Sequence, residues 1–285
     1  MSVSLPDPGR MEGRTVVVTG GSSGIGRAAA VELAALGATV AVVGRSEQRT
    51  REVAEQIGGR AYLADFSRLA DVRALAGRLL ADLPEIHVLA NNAGGIGPRA
   101  ETVDGFDETF QRNHLAGFLL THLLLPRLTE TAASAPPMSV RVVQTSSAAN
   151  IGARIRMDDL DTRRGPWMQG FRAYGRSKLA NILFTRGLAR RLSGTAVSTY
   201  AFHPGVVATR FGGFAPWTML VKAVALSPEQ GAAPLVRLAS APEVPAPSGN
   251  YFSRLTAPGP TSPQAGDAGL ERALWSASEV RAGLR

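Results

Sequence analysis

The stretch Thr19-Gly20-Gly21-Ser22-Ser23-Gly24-Ile25-Gly26 directly follows the apolar, β-branched run 15–18 and precedes a helical pattern. Glycines let a chain turn tightly and let its backbone approach a pyrophosphate group closely. The next helix would offer free N–H groups and the positive end of its dipole. The spacing Gly-x-x-x-Gly-x-Gly differs from the usual Gly-x-Gly-x-x-Gly, but the mechanics are the same. We therefore predict a dinucleotide at this strand–helix junction, although any tight turn also favours glycine.

Outward from this turn, short apolar runs alternate with longer amphipathic stretches. Nearly continuous apolar runs are typical of parallel strands that are covered on both faces. Their alternation with helices indicates a doubly wound sheet with right-handed crossovers. We predict a single α/β domain over residues 1–285, Rossmann-like, with about seven parallel strands and helices on both faces. The predicted strands are 14–19, 38–43, 60–64, 86–91, 140–145, 196–202 and 249–252, and the predicted helices are 25–36, 47–57, 67–82, 107–128 and 173–192.

Composition limits the class of protein. The contents of 45% hydrophobic and 19% charged residues are typical of a globular chain with a sizeable core. Cysteine is absent, which excludes disulfides and thiolate metal sites, and the four histidines show no metal-ligand spacing, so no metal is predicted. The first ten residues lack the apolar run of a signal peptide. No stretch reaches the roughly 18 apolar residues of a membrane span, and we expect a cytoplasmic protein.

The formal net charge of +8 favours an anionic partner. The arginines are scattered and aromatic residues make up only 6% of the chain, which argues against nucleic acid and leaves a phosphate-rich cofactor. Codon bias towards Arg and Ala would also explain much of the excess. Arg45 follows the second predicted strand, where an acidic residue would bind the ribose 2′-OH of NAD. Since an arginine suits a 2′-phosphate, we predict NADP(H) rather than NAD(H), with a solvated loop arginine as the alternative.

Tyr174 and Lys178 are four residues apart and share one face of a predicted helix. Of the 31 basic residues, only Lys178 and Lys222 are lysines. A nearby ammonium favours the phenolate and lowers a tyrosine pKa from about 10, so the pair could act as an acid/base unit. A planar guanidinium is no substitute for that ammonium. The pattern is common, however, and a surface pair is the alternative.

Six motifs resemble the short-chain dehydrogenase/reductase family and occur in the family's order over about residues 10–280. They are 19–26, Asn91-Asn-Ala-Gly94, Asn113, Ser146-Ser147, Tyr174-x-x-x-Lys178 and His203-Pro-Gly205 with Thr209. The stretches 110–115, 174–184 and 274–278, and the long gap between Ser147 and Tyr174, look most like the retinol-dehydrogenase-like branch. The resemblance implies an oxidoreductase that moves a hydride between NADP(H) and a carbonyl or alcohol.

The resemblance also implies residue roles. Tyr174 would be the general acid in reduction and the base in oxidation, with Lys178 lowering its pKa and binding the nicotinamide ribose. Ser147 would bond the substrate oxygen, and Ser146 is the alternative because a slip of one residue reverses which serine faces the site. Asn113 would hold a water in a proton relay to Lys178. The implied cofactor site comprises Gly20, Ser22, Ser23, Gly24, Ile25, Gly26, Arg45, Asp65, Phe66, Asn91, Ala93, Gly94, Tyr174, Lys178, Pro204, Gly205, Val206 and Thr209.

Two long irregular stretches, 148–172 and 206–226, carry bulky apolar side chains. We predict that some of these line a pocket for an apolar, bulky small molecule, with 206–226 as its lid; alternatively they pack the loops onto the body. They are Trp167, Met168, Phe211, Phe214, Trp217 and Met219. The family commonly associates through the helices predicted at 107–128 and 173–192, which leaves a homodimer or homotetramer open. A catalytically silent NADP(H)-binding sensor or scaffold is the alternative function.

Overall fold

A sheet lies at the centre of this computed structural model, which describes residues 2–136, 138–166, 168–207 and 225–285. In these residues the sheet has nine strands in the order β1-β9-β8-β7-β6-β5-β2-β3-β4. They are β1 (Val3–Ser4), β2 (Thr15–Thr19), β3 (Thr39–Gly44), β4 (Arg60–Leu63), β5 (Val88–Asn91), β6 (Val140–Thr145), β7 (Val197–His203), β8 (Tyr251–Ser253) and β9 (Thr256–Ala257). The strands from β2 to β8 are parallel, and the short β1 and β9 join one edge in antiparallel register.

The helices lie on both faces of this sheet. They are α1 (Gly24–Ala35), α2 (Glu47–Gln56), α3 (Leu69–Asp82), α4, α5 (Phe171–Arg191), α6 (Pro228–Ser240) and α7 (Ala268–Arg281). Helix α4 consists of Glu108–Phe110, a π turn at Gln111–Leu115 and the long segment Ala116–Ser134. Short 3₁₀ turns occur at Ala148–Asn150, Met157–Asp159, Met168–Gly170 and Pro263–Gly266.

The core residues alternate between the two faces of the sheet. Val17 of β2 belongs to the cluster under α3, α4 and α5, whereas Val16 and Val18 belong to the cluster under α1, α2 and α6. Successive side chains of a strand point to opposite faces, so a strand that is buried on both faces must be apolar throughout. The predicted doubly wound α/β fold is therefore confirmed, and the sheet differs from it by the two short antiparallel strands.

The strand order reverses at β2, whose neighbours are β3 and β5. In open α/β sheets, ligands bind outside the carboxyl ends of the strands at such a switch point. The glycine turn 20–24 connects β2 to α1 there. The fold thus places the predicted dinucleotide turn at the position where a doubly wound sheet has room for a ligand.

Helix α7 packs on α4 and α5. Buried Glu271 forms ion pairs with Arg190 and Arg191 of α5. Trp275 packs its ring against Phe118 of α4, with the ring centroids 5.0 Å apart. Part of the surface of these two long helices is therefore covered by the chain itself. A homodimer or homotetramer through α4 and α5 stays a prediction, and such a contact must use the faces that α7 leaves uncovered.

Candidate active site

The glycine turn has the backbone geometry that its sequence requires. Gly20 and Gly24 have φ angles of +66° and +53°, in the left-handed region that favours glycine. A Cβ on Gly26 would overlap the carbonyl oxygen of Gly20, so only glycine fits there. Ser23 precedes α1 in an extended conformation, and its hydroxyl caps no N–H among the described residues. The first N–H groups of α1 are thus available to a phosphate.

Thr19 ties the end of β5 to the end of β2. Its hydroxyl donates to the carbonyl of Ala90 (3.1 Å) and accepts from the N–H groups of Asn92 (2.9 Å) and Ala93 (3.0 Å). The Asn92 amide donates in turn to the Thr19 carbonyl at 3.0 Å. The Asn-Asn-Ala-Gly motif therefore lies next to the glycine turn, so both segments can contact the same ligand.

Two predicted cofactor residues, Asn91 and Phe66, direct their side chains into the protein, and a third, Asp65, is partly exposed and bonds the turn that follows it. The Asn91 amide donates to the Thr121 hydroxyl of α4 at 2.8 Å. Phe66 is buried in the core beside α3. One carboxylate oxygen of Asp65 accepts from the N–H (3.0 Å) and the hydroxyl (2.8 Å) of Ser67, as in a capping turn. Asn91 and Phe66 can reach a cofactor only through their backbones, and their role stays a prediction.

Arg45 lies on the surface directly after β3, near the glycine turn. Burial alone would raise the pKa of Asp65, but the bonds from Ser67 and the nearby charge of Arg45 hold it below its usual value. Arg45 is thus close enough to Asp65 to act on it electrostatically. This corner of the sheet combines a guanidinium with the positive end of α1, a set of groups that suits an anion.

Tyr174, Ser147 and Lys178 meet at the carboxyl end of β6. The Ser147 hydroxyl lies beside the Tyr174 phenol, whose pKa it lowers, and it accepts from the Ala149 N–H at 3.2 Å. The Lys178 ammonium lies 5.4 Å from the centroid of the Tyr174 ring and donates to the Thr145 carbonyl at 2.9 Å. Ser146 is buried and donates to the Lys178 carbonyl at 2.7 Å. Of the two serines, Ser147 is thus the one whose hydroxyl adjoins the phenol.

Burial shifts the pKa values of this pair in opposite directions. It raises the pKa of Tyr174 to about 12, an effect that the Ser147 hydrogen bond partly offsets. It lowers the pKa of Lys178 to about 7. Both shifts have the same physical cause, because a low-dielectric environment disfavours the charged form of each group. At neutral pH the phenol therefore holds its proton, and the lysine is balanced between its two states.

Asn113 lies in the π turn of α4 and holds the backbone at Gly95. Its amide oxygen accepts from the Gly95 N–H at 2.8 Å, and its nitrogen donates to the Gly95 carbonyl at 3.0 Å and to the Ser177 hydroxyl at 2.9 Å. Gly94 has a φ of +158°, and a Cβ there would lie 2.6 Å from the Asn113 amide oxygen and 3.5 Å from the Lys178 nitrogen. Asn113 therefore borders Lys178, and its predicted water stays a prediction.

The comparisons with known proteins agree with this geometry. The family model for short chain dehydrogenases matches residues 14–157. The chain belongs to this family. It is 40% identical to human retinol dehydrogenase 14, covering 98% of this chain and 89% of the relative. It is 42% identical, over 96% and 94% of the two chains, to DnrU of Streptomyces sp. (strain C5), provisionally named a daunorubicin C-13 ketoreductase.

Solved structures share the fold of this short-chain dehydrogenase. An uncharacterised protein from Mycobacterium paratuberculosis has a TM-score of 0.79 and 34% identity, over 99% of this chain and 98% of the other. The RhlG/NADP active-site complex of Pseudomonas aeruginosa has a TM-score of 0.69 and 28% identity, over 86% and 95% of the two chains. Members of the family are oxidoreductases that bind nicotinamide dinucleotides, and the relatives support the retinol-dehydrogenase-like branch.

Two residues of this dehydrogenase that the sequence did not single out support Ser147. The Asn150 amide donates to the Ser147 carbonyl at 2.8 Å and to the Tyr251 hydroxyl at 3.3 Å. Its oxygen accepts from the Ser262 N–H at 3.0 Å. Burial raises the pKa of Tyr251, and the nearby Tyr174 raises it further, so the two phenols are neighbours. Both residues lie within predicted segments, but no sequence pattern marks them.

The carboxyl end of β7 continues into Pro204, Gly205 and the exposed Val206. The Leu226 N–H donates to the Val206 carbonyl at 2.8 Å, so the two ends of the predicted lid 206–226 are joined. Exposed apolar side chains flank the site at Ile151 and Phe171. Several predicted residues lie outside the described part of the chain, namely Thr209, Trp167, Phe211, Phe214, Trp217 and Met219.

The sequence also predicts that the chain has no metal site and no membrane-spanning segment. Within the described ranges, no three His, Cys, Asp or Glu side chains cluster as metal ligands. His114 is buried between helices, and His122 lies on the outer face of α4. Across the same described ranges, none of the helices combines the length and the apolar character that crossing a membrane requires.

Proposed function

We propose that this short-chain dehydrogenase uses NADP(H) to interconvert a carbonyl and an alcohol on an apolar, bulky small molecule. One observation carries the proposal. The Tyr174 phenol lies beside the Ser147 hydroxyl and the Lys178 ammonium, at the same carboxyl end of the sheet as the glycine turn. A hydroxyl pair beside an ammonium can hold a carbonyl oxygen and give it a proton. A binding protein that only senses the redox state needs no such donor.

Each residue then has a definite role in carbonyl reduction. NADPH, when bound, would supply the hydride for the carbonyl carbon. Ser147 and Tyr174 donate hydrogen bonds to the carbonyl oxygen and stabilise its developing negative charge. Tyr174 gives its proton to that oxygen, and Lys178 stabilises the phenolate that remains. Alcohol oxidation reverses these steps, with Tyr174 as the base.

The residues around the glycine turn suit the cofactor. The N–H groups at the start of α1, with Ser22 and Ser23, would hold the pyrophosphate, and Arg45 would hold the 2′-phosphate. For the substrate, the exposed side chains of Ile151, Phe171 and Val206 supply apolar surface at the edge of the site. The names of the relatives, which refer to retinol and daunorubicin, support a bulky substrate with a large apolar part.

The reaction is tested by NADPH oxidation with a panel of ketones, aldehydes and quinones. The variant Tyr174→Phe should bind NADPH like the parent protein, but its turnover should fall by about 10²- to 10⁴-fold because the proton donor is lost. Tyr62→Phe is the matched control, since it removes a phenol that bonds Asp82. Equal turnover in Tyr174→Phe and the parent would refute the mechanism. NADPH binding without oxidation by any carbonyl would favour the silent sensor.

The cofactor preference is tested by Arg45→Asp. Loss of a charge-assisted bond to the 2′-phosphate, together with a new acceptor for a ribose hydroxyl, should shift the ratio of kcat/KM for NADPH over NADH towards NADH. We expect a shift of about 10- to 100-fold. Arg60→Asp makes the same charge change at the amino end of the neighbouring strand β4, away from the carboxyl ends where the cofactor would bind, and should leave the ratio unchanged. An unaltered ratio in Arg45→Asp would remove Arg45 from the cofactor site.

A further inference from the structure

Asn181, on α5, is buried three residues beyond Lys178 and shares an acceptor with it. Its amide nitrogen donates to the carbonyl of Asn113 at 3.0 Å and to the carbonyl of Thr145 at 3.2 Å. The Thr145 carbonyl also accepts from the Lys178 ammonium at 2.9 Å. The side chain of Asn181 thus joins the π turn of α4 and the end of β6 to the lysine of the site.

A hydrogen bond from His114 of α4 fixes the orientation of the Asn181 amide. The Asn181 oxygen lies 3.3 Å from Nδ1 of His114. An amide oxygen only accepts hydrogen bonds, so Nδ1 must carry a proton. Burial lowers the pKa of His114 to about 4, an effect that the Asn181 bond partly opposes and the charge of Arg281 reinforces. The ring is therefore neutral, and its other nitrogen lies 3.1 Å from the Ser278 hydroxyl of α7, whose single proton can go to this nitrogen or to the Leu274 carbonyl, 2.8 Å away.

The π turn explains how α4 supplies both contacts. Asn113 and His114 are consecutive residues in this turn, and both contact Asn181. A π turn is rare and occurs mainly at functional sites. Here it presents a carbonyl oxygen to the nitrogen of the amide and a ring N–H to its oxygen. Both ends of the Asn181 amide are thereby satisfied, and rotation of the amide would break both contacts.

We propose that Asn181 is a positioning residue that sets the place of the Lys178 ammonium through their shared acceptor, the Thr145 carbonyl. A carbonyl oxygen accepts two bonds, but each donor draws charge from it. Without the amide N–H, the oxygen would hold the ammonium more strongly and the pKa of Lys178 would rise. Tyr174 is the titratable group beside Lys178, while the groups of Thr145 and Asn113 that face it are neutral.

The low lysine content makes the pKa of Lys178 measurable in the intact folded chain. Lysine labelled with ¹³C at Cε reports only Lys178 and Lys222, so a Lys222→Arg background leaves one resonance, that of Lys178. This resonance should titrate at about 7 in the parent protein. Asn181→Leu has a similar size but no donor, and it should raise the pKa of Lys178 by roughly half a unit or more. In carbonyl reduction we expect its kcat to fall about 10-fold, with little change in KM.

Thr185→Val is the matched control. Thr185 is buried one turn further along α5, and its hydroxyl donates to the Asn181 backbone carbonyl at 2.8 Å. The variant removes a buried hydrogen bond from the same helix but leaves the Asn181 amide in place. It should therefore leave the Lys178 titration unchanged. An Asn181→Leu titration that coincides with that of Thr185→Val would overturn the proposal.

A second variant keeps the test decisive if Asn181→Leu does not fold. His114→Phe retains a ring beside Phe110 and Phe118 but removes the donor to the Asn181 oxygen, so the amide is free to rotate. It should raise the pKa of Lys178 in the same direction, and an unmoved resonance would refute the proposal. The role of Asn181 rests on the proposed function in one respect: its effect on turnover assumes that Lys178 takes part in the reaction. The titration needs no substrate. A protein without activity would therefore refute the proposed function, while the pKa of Lys178 would still test the role of Asn181.

Discussion

Tyr174 and Lys178 release their first proton as a coupled pair. Burial raises the pKa of Tyr174 to about 12 and lowers that of Lys178 to about 7, so the pair loses one proton near pH 7. Reduction needs the fully protonated pair, with a phenol to donate and an ammonium to stabilise the phenolate. Oxidation needs the pair with one proton removed, because the neutral Lys178 amine can then take the phenol proton and leave a phenolate to act as the base. The two directions of the reaction therefore require opposite protonation states.

We predict that kcat for reduction falls as pH rises through about 7, and that kcat for oxidation rises through the same value. The measurement is kcat in both directions from about pH 5 to 10 with saturating cofactor and substrate. The two plots of kcat against pH must have opposite slopes, because reduction requires the proton that the Tyr174–Lys178 pair loses near pH 7 and oxidation requires its removal. Two profiles that move together with pH would show that another group controls the reaction.

At the level of single residues, the sequence could predict that Tyr174 and Lys178 lie side by side but could not choose between Ser146 and Ser147. The choice depends on how the chain leaves β6. Ser146 continues the strand's pairing and bonds the Lys178 carbonyl, whereas the Ser147 hydroxyl lies beside the phenol. Asn150 and Asn181 also escaped detection. Apart from the Ser147 carbonyl, three residues from Asn150, their partners lie far away in the sequence, and no local pattern encodes such contacts.

At the level of elements, all seven predicted parallel strands are present, with ends that differ by at most two residues. Buried parallel strands need nearly continuous apolar runs, and that pattern is visible in a sequence. The strands β1 and β9 have two residues each, which is too short for any period to appear. The five predicted helices are also present, and α4 extends beyond residue 128 to Ser134 despite Pro126, because Leu124 and Leu128 are fully buried.

Helices α6 and α7 were missed for different physical reasons. Helix α6 contains Pro234 and Gly231, which have low helix propensity, and it relies on the capping box of Ser227 and Gln230. Helix α7 buries the polar residues Glu271 and Ser278 along with Leu274 and Trp275, which obscures an amphipathic pattern. Glu271 is paired with Arg190 and Arg191 of α5, and Ser278 contacts His114 of α4 as well as the Leu274 carbonyl of its own helix. The π turn of α4 likewise reads as an ordinary helix in the sequence.

At the level of the whole molecule, the last helix of the chain supports the elements that carry the candidate catalytic residues. Asn113 lies on α4, and Tyr174 and Lys178 lie on α5. Helix α7 contacts both, through the Glu271 ion pairs and through the packing of Trp275. These helices meet in space although α7 lies more than 75 residues beyond α5 in the chain. The site therefore depends on docking of the end of the chain.

We predict that Trp275→Ala lowers the free energy of unfolding by about 3 to 5 kcal/mol, because loss of a buried indole leaves a cavity. The Trp275 ring stacks on Phe184 with centroids 5.6 Å apart, lies 3.7 Å from the Arg191 guanidinium carbon and donates to Glu279 at 3.0 Å. Urea unfolding would measure the change as a lower midpoint at a constant slope. Val280→Ala is the control on the same helix, since Val280 is 63% exposed, and its effect should stay within about 0.5 kcal/mol. If Trp275→Ala were as stable as Val280→Ala, α7 could not be docked on α4 and α5 as described.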